Sequence, residues 1–370
     1  MKYKRMALEE ESPEELGYDT IRYNLSESSI SDRKLGDFGV DLRDLTLLYG
    51  EHRGARALRE LIARQSGSPR IQPDQVLICS GAAGALFIIA TALLKRDSHL
   101  VVVRPNYATN IETPRAIGCE ISYVDLKFEE GFRVDVEAIA RAVRPNTAYI
   151  SVTCPHNPTG TVMPWEDLIR LQDIAACNNC FVLVDETYRD LAYATPYPTA
   201  ASISERFISV SSLSKAYGTP GIRVGWLTTQ HPELYRLFLA AKEQIGICGS
   251  VVDEAIGVAV LQQRDSWLKV SNASNLRRRD IVREWVKSEP HVEWVEPVGG
   301  VVCFPRLKVN DAFNPGRFYK SLLENHDTYV GPGHWFEMSP LHMRIGFAWP
   351  SEPGLRAGLA GISAAIREQL

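Results

Sequence analysis

The sequence predicts an α/β protein: a three-layer α/β/α large domain around a mostly parallel sheet, followed by a small α+β domain. Two patterns carry this. Residues 76–79, 100–103, 121–124, 148–152, 181–184, 207–210 and 224–228 are short runs rich in Val, Ile and Leu, separated by helical patterns. Strands buried on both faces read as continuous apolar runs, so these belong in a sheet covered by helices on both sides. Near Glu289-Pro290 the composition shifts, which suggests a second domain. A chain of 370 residues can bury a core for each part.

Taken in order, residues 1–22 are polar and acidic and read as a mobile tail or a short arm. Residues 24–30, with three serines and a glutamate, are turn-rich and show no purpose of their own. Ala57, Leu58, Leu61 and Ile62 form the apolar stripe of a helix over 55–64. Residues 80–84 read as a tight turn opening a helix to Lys95. A helix over 165–177 leads into the run at 181–184. Another opens at His231-Pro232-Glu233 and reaches about Lys242, and two long helical patterns begin at Val251 and Asn272. The triple arginine 277–279 is read as a solvated helical face. Strands are expected at 291–295, 301–304 and 342–348, with helices at 314–323 and 354–366. On this reading residues 1–45 are an N-terminal arm and part of the small domain, 46–288 the large domain, and 289–370 the small C-terminal domain.

Composition excludes several classes of function. Lys and Arg number 41 against 45 Asp and Glu, a net charge of −4 with no basic block, so neither nucleic acid nor an anionic membrane is expected as a partner. No apolar run has the length of a signal peptide or a membrane span, which makes the cytoplasm the expected compartment. Seven cysteines, an odd number, fit reduced thiols better than a disulfide framework. Cys177-Asn178-Asn179-Cys180 has the spacing of half a metal site, but no second pair exists, and no metal is expected.

Chemistry concentrates at residues 211–226. An apolar run delivers the backbone to Ser211, Ser212, Ser214 and Lys215, then to glycines 218, 221 and 225 around Arg223. A lysine in such a place can bind phosphate or form a Schiff base with a carbonyl. Two other segments bear on the choice. Asn157-Pro158-Thr159-Gly160 follows the run 148–152, and Asp185 and Tyr188 follow the run 181–184. An acid, an amide, a phenol, hydroxyls, an arginine and a lysine at strand ends fit pyridoxal 5'-phosphate, whose ring nitrogen takes an Asp or Arg partner and whose aldehyde takes the lysine.

These three motifs, in this order, make the chain resemble the fold type I pyridoxal-phosphate enzymes of the class I and II aminotransferase superfamily, from about Tyr23 to the C-terminus. The resemblance implies that Lys215 holds the cofactor and moves the substrate α-proton, that Asp185 holds the ring nitrogen, and that Tyr188 and Asn157 donate to the ring oxygen. It implies a stacking role for Tyr107. Gly81, Ala82 and Ala83 would offer helix N-terminal amides to the phosphate, with Ser212, Ser214 and Arg223 adding charge-assisted bonds. Tyr49 matches a tyrosine supplied by the neighbouring subunit, so the expected assembly is a homodimer with the active site completed across the interface. Arg344 would grip the α-carboxylate of an amino acid substrate, beside Asn157. His156, next to Asn157, could face the pocket or lie behind it.

One position departs from the pattern. Many members carry a glycine in the N-terminal loop over the substrate, where this chain has Ser28, and Glu27 could offer a carboxylate to a cationic substrate end. Residues 213–218, 221–226 and 343–347 look most like the branch that includes capreomycidine synthase. The resemblance therefore implies an aminotransferase acting on an L-amino acid and a 2-oxo acid, or alternatively a cyclase or lyase acting by elimination on a modified, arginine-like amino acid. A scaffold that has lost catalysis is disfavoured because Lys215 and Asp185 are both present.

Overall fold

The computed structural model describes residues 1–370 and gathers the seven apolar runs into one sheet. Its spatial order is Val76–Ser80, Val224–Thr229, Phe207–Ser212, Phe181–Asp185, Thr147–Thr153, His99–Arg104 and Glu120–Asp125. Val224–Thr229 alone runs antiparallel to its neighbours. The remaining pairs are parallel, and parallel neighbours require crossovers. Helices supply them on both faces. Along His99–Arg104 the side chains alternate: Leu100 and Val102 join Ile89 of Gly81–Leu93 and Phe238 of Pro232–Gly246, whereas Val101 and Val103 join Ile139 of Val136–Ala142 and Leu171 of Trp165–Cys177. Leu100 to Val103 are all fully buried, which is why the run shows no polar alternation.

The C-terminal segment carries a three-stranded antiparallel sheet of Val302–Cys303, Met343–Gly346 and Gly331–Pro332, with helices Pro315–Glu324 and Glu352–Arg367. Residues 24–30 are not a free turn. Tyr23–Asn24 pairs in parallel with Thr328–Tyr329, and the Gly346 amide donates to the Leu25 carbonyl at 2.7 Å. Leu25 is fully buried against Gly358, where a Cβ would come within 2.7 Å of its side chain. The segment's polar groups pair locally, as when the Ser26 amide and hydroxyl both donate to Asn24 Oδ1. That composition mimics a turn while permitting burial.

Residues 1–22 form an arm rather than a tail. Its short helices Ala7–Glu10 and Pro13–Leu16 are anchored at Glu11, which accepts from Trp335 Nε1 at 2.7 Å and, through its carbonyl, from the Tyr329 hydroxyl at 2.6 Å.

Two other readings change. The helix expected from Asn272 spans Arg264–Ser288, because its first turn is polar and carries no apolar stripe to announce it. Thr109–Ile117 is a helix that its internal Pro114 hides from sequence inspection. The triple arginine is a solvated face only at Arg277. Arg278 donates to the Ala348 carbonyl, and the Arg279 guanidinium lies 4.8 Å from the centre of the Tyr193 ring. No helix is long and apolar enough to cross a membrane, and no group of three or more His, Cys, Asp or Glu is placed to hold a metal ion.

Candidate active site

The parallel strands deliver Thr153, Asp185 and Ser212 to one end of the sheet, where they line a cavity of about 430 Å³. The C-terminal edge of parallel strands is where open α/β sheets bind ligands. Of the site residues expected from the sequence, all but Gly81 and Tyr49 line this cavity.

Lys215 lies just past the strand Phe207–Ser212, half-buried in the cavity wall. Its ammonium donates to the Ser28 hydroxyl at 2.9 Å. Burial holds its pKa below the usual lysine range, Arg344 and Arg223 push it the same way, and Glu27 opposes. A depressed amine is a better nucleophile near neutral pH.

Asp185 ends its strand with 4% of its surface exposed. Its Oδ1 accepts the Thr187 amide at 3.1 Å and the Thr187 hydroxyl at 2.6 Å. Burial raises its pKa, the Thr187 bonds only partly offset that, and no cation pairs with it at ion-pair distance. A buried carboxylate in this condition is poised for a cationic N–H.

Arg344 lies on Met343–Gly346 and is 5% exposed. It donates to Asn157 Oδ1 at 3.2 Å and to the Ser26 carbonyl at 2.8 Å, while its Nε has no hydrogen-bond partner. Trp335 and Phe336 pack around the guanidinium at 5.8 and 5.1 Å from their ring centres. Both partners are neutral, so a buried positive charge stands without a carboxylate. Such a charge is costly alone and is stabilised by an incoming anion.

The Tyr188 hydroxyl donates to the Ser28 carbonyl at 2.8 Å, and burial pushes its pKa up to about 12. Its single proton is therefore engaged within the chain. Asn157 keeps its amide N–H₂ free of the Arg344 contact, which uses Oδ1.

An anion cradle sits at the start of Gly81–Leu93. Arg223, in the left-handed region at φ +46°, lays its guanidinium against Gly81, where a Cβ would overlap it. Gly225 brings the antiparallel strand against the same turn: a Cβ there would lie 2.6 Å from the Ala82 nitrogen. Ala82, Ala83, Ser212, Ser214 and Arg223 face one space, so free helix amides, hydroxyls and a guanidinium converge.

His156 does not line the cavity. It is 2% exposed and bridges Thr159 Oγ1 at 2.8 Å and the Pro105 carbonyl at 2.9 Å, joining the loop before Tyr107 to the loop holding Asn157. Burial lowers its pKa to about 4, so it stays neutral. Tyr49 is 80% exposed and away from its own chain's cavity, next to Leu47 and Leu48 at 77% and 59%.

Sequence reading missed the arm's share of the site. Arg5, Glu9, Glu14 and Glu15 all line the cavity, as does Trp335. A run of acidic residues carries no pattern that distinguishes a pocket wall from a solvated tail.

The geometry agrees with the comparisons. The chain is 28% identical over 334 residues to the arginine–pyruvate transaminase of Pseudomonas aeruginosa, spanning 87% of this chain and 83% of that protein. It is 29% identical over 331 residues to the capreomycidine synthase of Streptomyces vinaceus, spanning 87% and 82%. A PLP-dependent aminotransferase from Streptococcus suis superposes with a TM-score of 0.92 at 26% identity, over 100% of this chain and 99% of that one. The likeness thus reaches a transaminase and a synthase about equally, and does not single out the capreomycidine synthase branch. Matched over residues 40–362 by the family described as aminotransferase class I and II, the chain belongs to that family.

Proposed function

We propose that this protein is a pyridoxal-phosphate-dependent aminotransferase acting between an L-amino acid and a 2-oxo acid. The observation that carries it is the pairing, in one cavity, of a half-buried lysine with a depressed pKa and a buried guanidinium that has no carboxylate at ion-pair distance.

The residues fit the cofactor. Arg223 and the glycine-lined turn at Gly81 and Gly225 make a cradle that a Cβ would fill, and the buried Asp185 lacks a cationic partner. Lys215 would take the aldehyde, Asp185 the ring N–H, and Tyr107 the ring face. The amides at Gly81, Ala82 and Ala83, with Ser212, Ser214 and Arg223, would hold the phosphate. Bound pyridoxal phosphate supplies the electron sink for the charge left when a substrate α-proton departs.

The chain's own residues do the rest. Arg344 fixes the substrate carboxylate and so presents the α-carbon to Lys215, whose depressed pKa suits it to carry the α-proton near neutral pH. Asp185 would accept from the ring N–H and so keep the ring nitrogen protonated, a proton separate from the one that Lys215 carries. Asn157 would offer an N–H to the ring oxygen, and Tyr188 could join it only by releasing the Ser28 carbonyl.

We further propose a homodimer. Leu47, Leu48 and Tyr49 expose apolar surface in sequence, and a second cavity of about 640 Å³ opens beside the cradle, lined by Ala83, Phe87, Ile245 and Arg223. Residues 47–49 of a second copy would fill it and bring Tyr49 to the phosphate.

A second reading, cyclisation or elimination on a modified amino acid, rests on the similarity to capreomycidine synthase and on Ser28, whose hydroxyl stands beside Lys215. Single-turnover reaction of the loaded enzyme with an amino acid panel, without any oxo acid, separates the two. Release of one equivalent of 2-oxo acid per site supports amino transfer. Repeated turnover to a dehydrated or cyclised amino acid overturns it.

A further inference from the structure

The cavity is electrically two-ended. At its inner end Arg344 is a buried cation whose Nε has no partner and which no carboxylate approaches within ion-pair distance. At its outer end the wall is made by the arm and by Glu27, and it carries carboxylates. Two of the four are committed. Glu15 pairs with Arg5 at 3.4 Å, and Glu9 Oε2 accepts the Met6 amide at 2.9 Å, closing the first turn of its own helix. Two are not. Glu14 makes no hydrogen bond or ion pair within the chain, and Glu27 has as its partner only the neutral Tyr18 hydroxyl, at 2.9 Å on Oε1.

Lys215 lies close enough to both groups for the charges of Glu27 and Arg344 to act on it. A ligand held by its α-carboxylate at Arg344 and its α-amine near Lys215 must send its side chain away from Arg344. Glu27 precedes Ser28, the residue that Lys215 contacts, so its carboxylate stands at the wall next to the reacting amine. Lys215 and Arg344 act on the Glu27 charge without forming an ion pair with it, so this half-buried carboxylate keeps room for a cation that enters with the ligand, which a neutral or acidic side chain would not supply.

Resting on the aminotransferase reading above for the place of the α-carbon, we infer that the site selects L-amino acids with a cationic side-chain end, a guanidinium or an ammonium, read by Glu27 and supported by Glu14 on the N-terminal arm. Tyr18 is a positioning residue: its hydroxyl fixes Glu27 Oε1 and leaves Oε2 for the ligand. The arm is thereby part of the substrate pocket, which explains why Glu11 anchors it so firmly to Trp335 and Tyr329.

The test compares L-arginine, L-ornithine and L-citrulline, the last having arginine's shape without its charge, on the holoenzyme and on Glu27→Gln and Glu14→Gln. Binding is measured by calorimetry without oxo acid, and kcat/KM with it. The amide of Glu27→Gln can still accept from Tyr18, and the exposed Glu14 makes its variant safe for folding. We expect arginine or ornithine to be favoured over citrulline by about 10-fold or more, and that ratio to fall by about 10-fold in Glu27→Gln and several-fold in Glu14→Gln. Preference for arginine alone identifies a guanidinium; equal preference for ornithine identifies charge as the only requirement. Amino transfer with an arginine-to-citrulline ratio near one, or a ratio unmoved by both substitutions, overturns this inference and leaves the reaction intact. Glu27-dependent binding of arginine without oxo acid release supports it and overturns amino transfer instead.

Discussion

Lys215 and Ser28, 187 positions apart in sequence, meet in a hydrogen bond of 2.9 Å from ammonium to hydroxyl. The Ser28 carbonyl also receives the Tyr188 hydroxyl. One residue of the buried N-terminal segment therefore touches both the amine and the phenol of the site, which ties the arm-bearing segment to the end of the sheet.

That contact sets a direction for the lysine. A hydrogen bond donated by an ammonium favours the charged form, so its loss in Ser28→Ala lowers the pKa of Lys215 further. The rate at which the apo protein captures pyridoxal phosphate should rise with pH as the amine deprotonates, with a midpoint below the usual lysine range. In Ser28→Ala the midpoint should move lower still. An upward move would mean that Ser28 does not stabilise the charge.

Arg344 carries the second prediction. Its guanidinium is buried with neutral partners, so the empty protein bears an uncompensated charge. Arg344→Met should raise the stability of the apo protein, by about 1 kcal/mol or more in chemical denaturation. The same change should abolish stabilisation by amino acids. Arg344→Lys, which loses the planar fork, should lower kcat/KM about 10–100-fold, mainly through KM.

The sheet and the chemical motifs were legible because each rests on local pattern. Runs such as 100–103 are apolar throughout because both faces are covered, and Lys215, Asp185 and Asn157 sit where strand runs end. The rest depends on contacts distant in sequence. Residues 24–30 look like a turn because Asn24 and Ser26 satisfy each other locally, and only the contacts of Tyr23–Asn24 with Thr328–Tyr329 and of Leu25 with Gly346 hold the segment in the interior. The acidic arm gave no sign of facing a cavity. Arg278 and Arg279 read as solvated because their partners, Ala348 and Tyr193, lie about 70 and 86 positions away.

Gly225 provides the third. A methyl at this position would lie 2.6 Å from the Ala82 nitrogen and overlap the Gly81 carbonyl carbon, both backbone atoms that cannot rotate away. Gly225→Ala should push the helix start off the strand, lowering stability by about 1–3 kcal/mol. Because the displaced amides line the cradle, affinity for pyridoxal phosphate, and for inorganic phosphate as a probe, should fall together. Wild-type phosphate affinity in this variant would show that the helix start does not bind the anion.

The fourth concerns assembly. Leu47, Leu48 and Tyr49 are exposed at 77%, 59% and 80%, a cost in water that a second copy would remove. Sedimentation should find a dimer, and Leu47→Ser with Leu48→Ser should shift it toward monomer. If Tyr49 serves the partner's phosphate, the cofactor should dissociate faster in that double variant. A stable dimer with unchanged cofactor retention would remove these residues from the interface.

The last prediction uses the sign of the Asp185 shift. Burial raises its pKa above that of an unfolded aspartate, so between the two values the native state holds a proton that the unfolded state has lost. Stability then falls as pH rises through that window, and the penalty persists above it. Asp185→Asn cannot ionise, yet its side-chain oxygen can still accept from Thr187. The stability of apo Asp185→Asn relative to apo wild type should therefore be smallest in acid and grow as pH rises through the window, reaching about 1 kcal/mol or more near neutrality. Saturating pyridoxal phosphate should reverse the order, because the ring N–H gives the wild-type carboxylate a cationic partner that the amide cannot match. A difference flat in pH would mean that Asp185 is ionised at no cost in the empty site, and the cofactor would then have no buried charge to relieve.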